Sequence, residues 1–66
     1  MMIKTAIRTP GNMTFVFGED GRQAPEYQGW YREVRDSILR NAGIDTIFKR
    51  WPDASAEPEI VSRDNW

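Results

Sequence analysis

Apolar and polar residues alternate in two short stretches near the start of the chain. Residues 2–9 (MIKTAIRT) and 13–18 (MTFVFG) place β-branched and aromatic residues at a spacing of two, which is typical of half-buried strands. Pro10, Gly11 and Asn12 lie between them and form a strong turn signal. The two stretches therefore predict a β-hairpin.

The register of this hairpin follows from the positions of the large apolar side chains. These occupy odd positions in both strands: Ile3, Ile7, Met13, Phe15 and Phe17. Because residues opposite one another in a hairpin share a face, Ile7 is expected opposite Phe15, with Asn12 in the left-handed conformation of a three-residue loop. The odd-numbered side chains should then face the core, and the even-numbered ones, Val16 among them, should face away from it.

Residues 25–42 repeat their apolar positions with the period of a helix. At 100° per residue, one side of this helix carries Tyr27, Trp30, Tyr31, Val34 and Ile38. Pro25 suits the first helical position, and Gly43 suits a C-terminal stop. Gly29 indicates either close packing or a later start of the helix.

The last third of the chain predicts one more strand and a tail. Residues 45–51 (DTIFKRW) read as a third strand, whose inward face carries either Thr46 with Phe48 or Ile47 with Trp51. Residues 52–58 are turn-like and expected to be mobile, whereas residues 59–66 regain apolar character and would form a free tail or an edge strand.

The resulting element order, β-β-α-β, predicts a two-layer α+β fold. We expect a three-stranded, mainly antiparallel sheet with one amphipathic helix on one face and a flexible C-terminal tail. The compact domain would span residues 1–51 and the acidic tail residues 52–66. The favoured strand order is 2-1-3, with the third strand antiparallel to the first; the alternative is a right-handed parallel crossover beside the second strand.

The chain contains neither histidine nor cysteine, and this excludes several chemistries. Proton shuttling near neutral pH, Ser-His or Cys-His nucleophiles and ordinary zinc sites all need those residues. No P-loop, GxGxxG, GxSxG or HExxH motif is present, and the carboxylates Glu19 and Asp20 fit a turn better than a cation loop. We therefore expect no enzyme, no cofactor and no metal.

Charge and aromatic content direct attention to the sheet face that a single helix leaves uncovered. The even-numbered positions and the third strand would bring basic and aromatic groups there, and the C-terminal tryptophan either frays or docks against them. The candidate interaction residues are Lys4, Arg8, Val16, Lys49, Arg50, Trp51 and Trp66.

Three interpretations of that surface compete. It is an interface for another protein or a second copy, a stacking platform for single-stranded nucleic acid, or an ordinary solvated face. The net charge of −1 and the lack of RNP-type, KH or helix-turn-helix signatures count against nucleic acid. We therefore expect a homodimer or adaptor module. No apolar run suits a bilayer and no signal peptide is recognised, so a cytoplasmic setting without membrane contact is expected.

Overall fold

The strands at the start of the chain follow the sequence pattern, whereas the middle of the chain departs from it. A computed structural model describes residues 2–66. Its elements, in chain order, are β1 (Ile3–Arg8), β2 (Met13–Gly18), a 3₁₀ turn (Pro25–Tyr27), β3 (Gly29–Trp30), α1 (Tyr31–Asn41), β4 (Ala42–Arg50), β5 (Glu59–Val61) and a second 3₁₀ turn (Arg63–Asn65).

The predicted hairpin is confirmed in register and in turn geometry. Ile7 lies opposite Phe15, and the N–H of Thr9 donates to the carbonyl of Met13 at 2.7 Å. Asn12 adopts φ 61°, the left-handed conformation that asparagine tolerates better than most residues. Turn chemistry and side-chain alternation therefore determine this part of the fold locally.

The helix begins at Tyr31 rather than at Pro25, because the chain first runs back along β2. The N–H of Ala24 donates to the carbonyl of Val16 at 2.8 Å, and the two residues of β3 pair with the start of β2. Gly29, at φ 154°, provides the backbone conformation at this point. Of the two explanations for Gly29, the later helix start is the correct one.

The segment that runs back along β2 adds the short strand β3 to the sheet. Within residues 2–66 the sheet is mixed and five-stranded, in the order β3-β2-β1-β4-β5. β4 lies beside β1, as the favoured 2-1-3 order predicts, but the two strands are parallel. The predictions of three strands and of an antiparallel third strand are therefore wrong. Residues 19–30 reverse the chain once more before α1 begins, so that β4 starts at the same end of the sheet as β1.

The core lies between α1 and one face of the sheet, and this face is the opposite of the predicted one. Even-numbered Ala6, Val16 and Phe48 are buried beneath Ile38 of the helix, whereas the odd-numbered residues of β2 are only half-buried. The expected inward orientation of the odd-numbered residues is therefore wrong for Ile7, Met13, Phe15 and Phe17, and it is confirmed for Ile3, which lies beyond a register shift in β1 and is buried. Small side chains at Ala6 and Val16 leave room that larger groups from elsewhere in the chain fill.

One of those larger groups is Trp66, which is only 3% exposed. Its ring centroid lies 5.1 Å from that of Phe48 and 5.2 Å from that of Tyr31. β5 pairs with β4 and forms one edge of the sheet. Residues 59–66 therefore pack on the body of the fold. Of the two alternatives for this segment, the edge strand is confirmed by β5, and the prediction of a flexible tail is wrong for β5 and for Trp66.

Candidate interaction surface

The sheet face turned away from α1 is lined mainly by apolar side chains. Cross-strand partners share a face, and the pairs Ile7–Phe15, Ile7–Lys49 and Lys49–Ile60 connect four strands across this side of the sheet. We call this surface the open face. It is formed by Thr5, Ile7, Met13, Phe15, Phe17, Ile47, Lys49 and Ile60.

None of the side chains on the open face is fully buried. Those on the three central strands are half-buried, because they shield one another, whereas Ile60 at the edge is 73% exposed. Lys49 is the one charged residue in the set. An apolar, weakly charged surface that spans several strands is uncommon on a monomeric protein and marks an interaction site.

The structure separates the residues predicted for the interaction surface. Val16 is fully buried under α1, so the expectation that it lines the uncovered face is wrong. Trp66 docks rather than frays, as one of the two alternatives predicts, but it docks in the core on the helix side of the sheet, beside Phe48 and Arg8. Arg8 is half-buried on the helix side, where its guanidinium carbon lies 3.9 Å from the centre of the Tyr31 ring.

The remaining basic residues do not share one face of the sheet. Lys49 pairs with Ile7 on the open face, whereas Arg50 pairs with Arg8 on the helix side. Lys4 is exposed beside an irregularity in the pairing of β1. Trp51 is half-buried, and its indole N–H donates to the carbonyl of Ala56 at 2.7 Å. No single basic and aromatic sheet face therefore exists among these residues.

Trp66 is held by polar contacts as well as by packing. Its indole N–H donates to the carbonyl of Lys49 at 2.9 Å, and its own carbonyl accepts hydrogen bonds from Tyr31 at 2.8 Å and from Arg8 at 3.2 Å. The Tyr31 hydroxyl in turn accepts a hydrogen bond from Arg35, which raises the pKa of that guanidinium. This network explains why Trp66 and Arg8 belong to the scaffold that supports the sheet.

The alternation of the hairpin predicts a core position for four residues that lie on the open face: Ile7, Met13, Phe15 and Phe17. Size alone favoured that assignment, since large apolar groups are usually buried. A contrary signal was present in the even positions of the hairpin, Ala6, Thr14, Val16 and Gly18, which are small enough for a helix to approach closely. Tyr31 and Trp66 complete the buried layer on the helix side of the sheet, and both come from distant positions in the sequence.

Within residues 2–66 the structure brings together no group of three carboxylates that could hold a metal ion. No helix in that range has the length and apolar character that crossing a bilayer requires. The chain matches no protein-family model, no curated protein and no solved structure.

Proposed function

We propose that this chain is a non-catalytic interaction module that packs its open face against the open face of a second copy. The observation that supports this proposal is the apolar surface around Ile7, Phe15 and Ile47, which α1 leaves uncovered. Two sheets that face each other pack about 10 Å apart and interdigitate their side chains, as in a β-sandwich.

The size of the open face is consistent with a weak dimer. Strands about 4.8 Å apart with about 3.3 Å per residue give a projected area of roughly 400 Å² per copy. A symmetric pair would then bury at least about 800 Å², which lies at the border between lattice-type contacts and small specific interfaces. Dissociation in the micromolar range or weaker is the expected consequence.

A second copy is a suitable partner because the surface is complementary to itself. A two-fold contact places the same patch on both sides, and such dimers are the commonest soluble oligomers. With the two-fold axis parallel to β1, β4 of one copy lies over β2 of the other. Lys49 then approaches the partner's Phe15, where a cation–π contact offsets the desolvation of the ammonium group.

The competing hypothesis of a nucleic-acid platform on this sheet face has less support. Phosphate binding needs several cationic groups along a track, and the open face contains Lys49 alone. Arg8 and Arg50 lie on the helix side of the sheet. The open face is therefore better suited to apolar contact than to a charged backbone.

Sedimentation equilibrium from micromolar to millimolar concentration tests the dimer. We expect the weight-average mass to rise with concentration for the native chain. Ile60→Thr and Phe15→Thr should both weaken association, because each removes apolar area from the contact. Ile44→Thr is the control, since Ile44 is completely exposed and pairs with no residue of the open face, although it borders Ile47 and Ile60.

Ile60 matters for this test because its exposure makes the substitution harmless to folding. A chain that stays monomeric at millimolar concentration would contradict the proposal. So would an Ile60→Thr variant that associates as strongly as the native chain while Ile44→Thr does not.

A further inference from the structure

A concave surface lies at the end of the sheet where the β1–β2 turn meets the start of α1. It encloses about 410 Å³ and is lined by Arg8, Gly11, Asn12, Trp30, Tyr31 and Arg32. A second cavity of about 220 Å³ shares the turn with it and adds Arg50 and Trp51. The larger of the two falls within the range of roughly 300–1,000 Å³ that is typical of ligand sites.

The charge of this surface is positive, because arginines line both cavities. Neither cavity is lined by a carboxylate. Among residues 2–66 the side-chain ion pair that forms joins Arg35 and Asp36, so that Arg32 and Arg50 have no Asp or Glu carboxylate within 4 Å. An anion is the ligand that such a surface attracts.

Arg8 is oriented toward this cavity by the protein itself. Its guanidinium donates two hydrogen bonds to the side-chain oxygen of Asn12 and one to the carbonyl of Trp66. Since a guanidinium has five N–H groups, about two remain for a ligand. Stacking on Tyr31 fixes the plane of the group, and this reduces the entropy that binding would cost.

Trp30 gives the cavity an aromatic wall with a free polar group. Its side chain is 50% exposed, although its backbone is fixed in β3 by pairing with Met13. The indole N–H groups of Trp51 and Trp66 both donate to main-chain carbonyls. Within the described residues, the indole of Trp30 has no acceptor.

We infer that this cavity binds a planar ring that carries a phosphate, the chemistry shared by free nucleotides and single-stranded nucleic acid. The ring stacks on Trp30, and the phosphate accepts hydrogen bonds from Arg8 and Arg32. In a strand, the neighbouring phosphate reaches Arg50 in the second cavity. This inference does not rest on the proposed dimer, because none of the residues that line the cavity belongs to the set that forms the open face, although Trp30 pairs with Met13 at the edge of that face.

Titration of the ¹⁵N-labelled full chain at low salt, followed by NMR, tests the inference. The probes are adenosine 5′-monophosphate, adenosine, ribose 5-phosphate and a short oligothymidylate. We expect the nucleotide to move the indole signal of Trp30 and the side-chain signal of Arg8, and to leave the indole signal of Trp66 in place. Adenosine and ribose 5-phosphate should each bind more weakly than the nucleotide that combines them.

Variants of Trp30 and Arg32 test which side chain contacts the ring of the ligand and which contacts its phosphate. Trp30→Ala should weaken nucleotide binding by at least about fivefold, and Trp30→Phe should restore most of it, because stacking needs an aromatic ring. Arg32→Ala should weaken binding of the nucleotide, whereas Arg40→Ala, on the same helix but far from the cavity, should not. Arg8 is left intact because it also holds Trp66.

Titration with the oligothymidylate distinguishes a single strand from a free nucleotide as the ligand. Tighter binding of the oligonucleotide, reduced by Arg50→Ala, supports the inference and identifies a single strand as the ligand; equal binding supports it and identifies a free nucleotide. The inference is wrong if no probe moves the Trp30 signal at millimolar concentration. It is also wrong if Arg40→Ala weakens binding as much as Arg32→Ala does, because the attraction would then be general.

Discussion

Trp66 connects more parts of this protein than any other side chain described above. Its ring contacts Phe48 of β4 and Tyr31 of α1, and its carbonyl accepts a hydrogen bond from Arg8 of β1. The 3₁₀ turn before it places the indole between sheet and helix. A small chain without disulfides depends strongly on each large buried group, because its core is small.

Replacing Trp66 by alanine should therefore destabilise the fold severely. Loss of a buried tryptophan costs about 3–5 kcal/mol, a large part of the stability of a small domain. Trp30→Ala is the matched control, since Trp30 is half exposed, and it should change stability by less than about 1 kcal/mol. Urea unfolding followed by circular dichroism measures both. Similar midpoints for the two variants would show that Trp66 does not belong to the core.

Asp53 makes the turn after β4 sensitive to acid. The hydroxyl and the N–H of Ser55 both donate to its carboxylate, and these bonds lower the pKa of Asp53 below its ordinary value. A lowered pKa in the folded state means that the turn is stabilised fully above the ordinary aspartate pKa of about 3.9 and loses that stabilisation as the pH falls through the lowered one.

We therefore expect the indole N–H signal of Trp51 to report this change. It donates to the carbonyl of Ala56 in the same turn, so protonation of Asp53 should increase its hydrogen exchange. Ser55→Ala removes the hydroxyl and should raise the pKa of Asp53, moving the transition to higher pH. A Trp51 signal that does not respond while the carboxyl carbon of Asp53 titrates would contradict this coupling.

At the scale of elements, Thr14 determines where α1 begins. It is fully buried in β2, and its hydroxyl donates to the carbonyl of Tyr27 at 2.9 Å, with the carbonyl of Gly29 at 3.2 Å. These contacts attach the segment before the helix to the sheet. The first turn of α1 therefore depends on a strand residue that lies far from it in sequence.

Thr14→Val keeps the shape of the side chain and removes the hydroxyl. It should cost about 1–3 kcal/mol, because the single O–H of Thr14 is shared between the carbonyls of Tyr27 and Gly29, and both lose it in a part-buried site. Thr5→Val on the open face should lie within about 0.5 kcal/mol of the native chain when measured below the concentration of association. Thermal unfolding by calorimetry compares the two. Equal melting temperatures would show that the Thr14 hydroxyl does not stabilise the segment before α1.

This dependence also explains which elements the sequence predicts. The β1–β2 hairpin follows from alternation and from the turn at Asn12, both of which are local. The segment 25–30 satisfies a helical period as well, but its conformation is set by pairing with β2 and by the Thr14 hydroxyl. Helical periodicity cannot reveal such contacts, and the parallel orientation of β4 follows from the same reversal.

For the whole molecule, the chief error of sequence reasoning concerns which face of the sheet is buried. Both faces of the hairpin are apolar at their centres, so the hairpin alone does not decide between Val16 and Phe15. The decision depends on Tyr31, Phe48 and Trp66, which meet only in the folded chain and fill one side. As expected, α1 leaves one face of the sheet uncovered, but the residues on that face are not the predicted ones.

If two copies pack through the open face, folding and association are coupled, and stability must depend on concentration. For a dimer of chains this short, a tenfold rise in concentration above the dissociation constant should raise the melting temperature by about 5 °C. Phe17→Thr should abolish this dependence, because it removes a large ring from the contact, whereas Ile44→Thr should keep it. Scanning calorimetry at several concentrations provides the measurement. A melting temperature independent of concentration for the native chain, together with a constant mass in sedimentation, would mean that the apolar face remains exposed to water in the working protein.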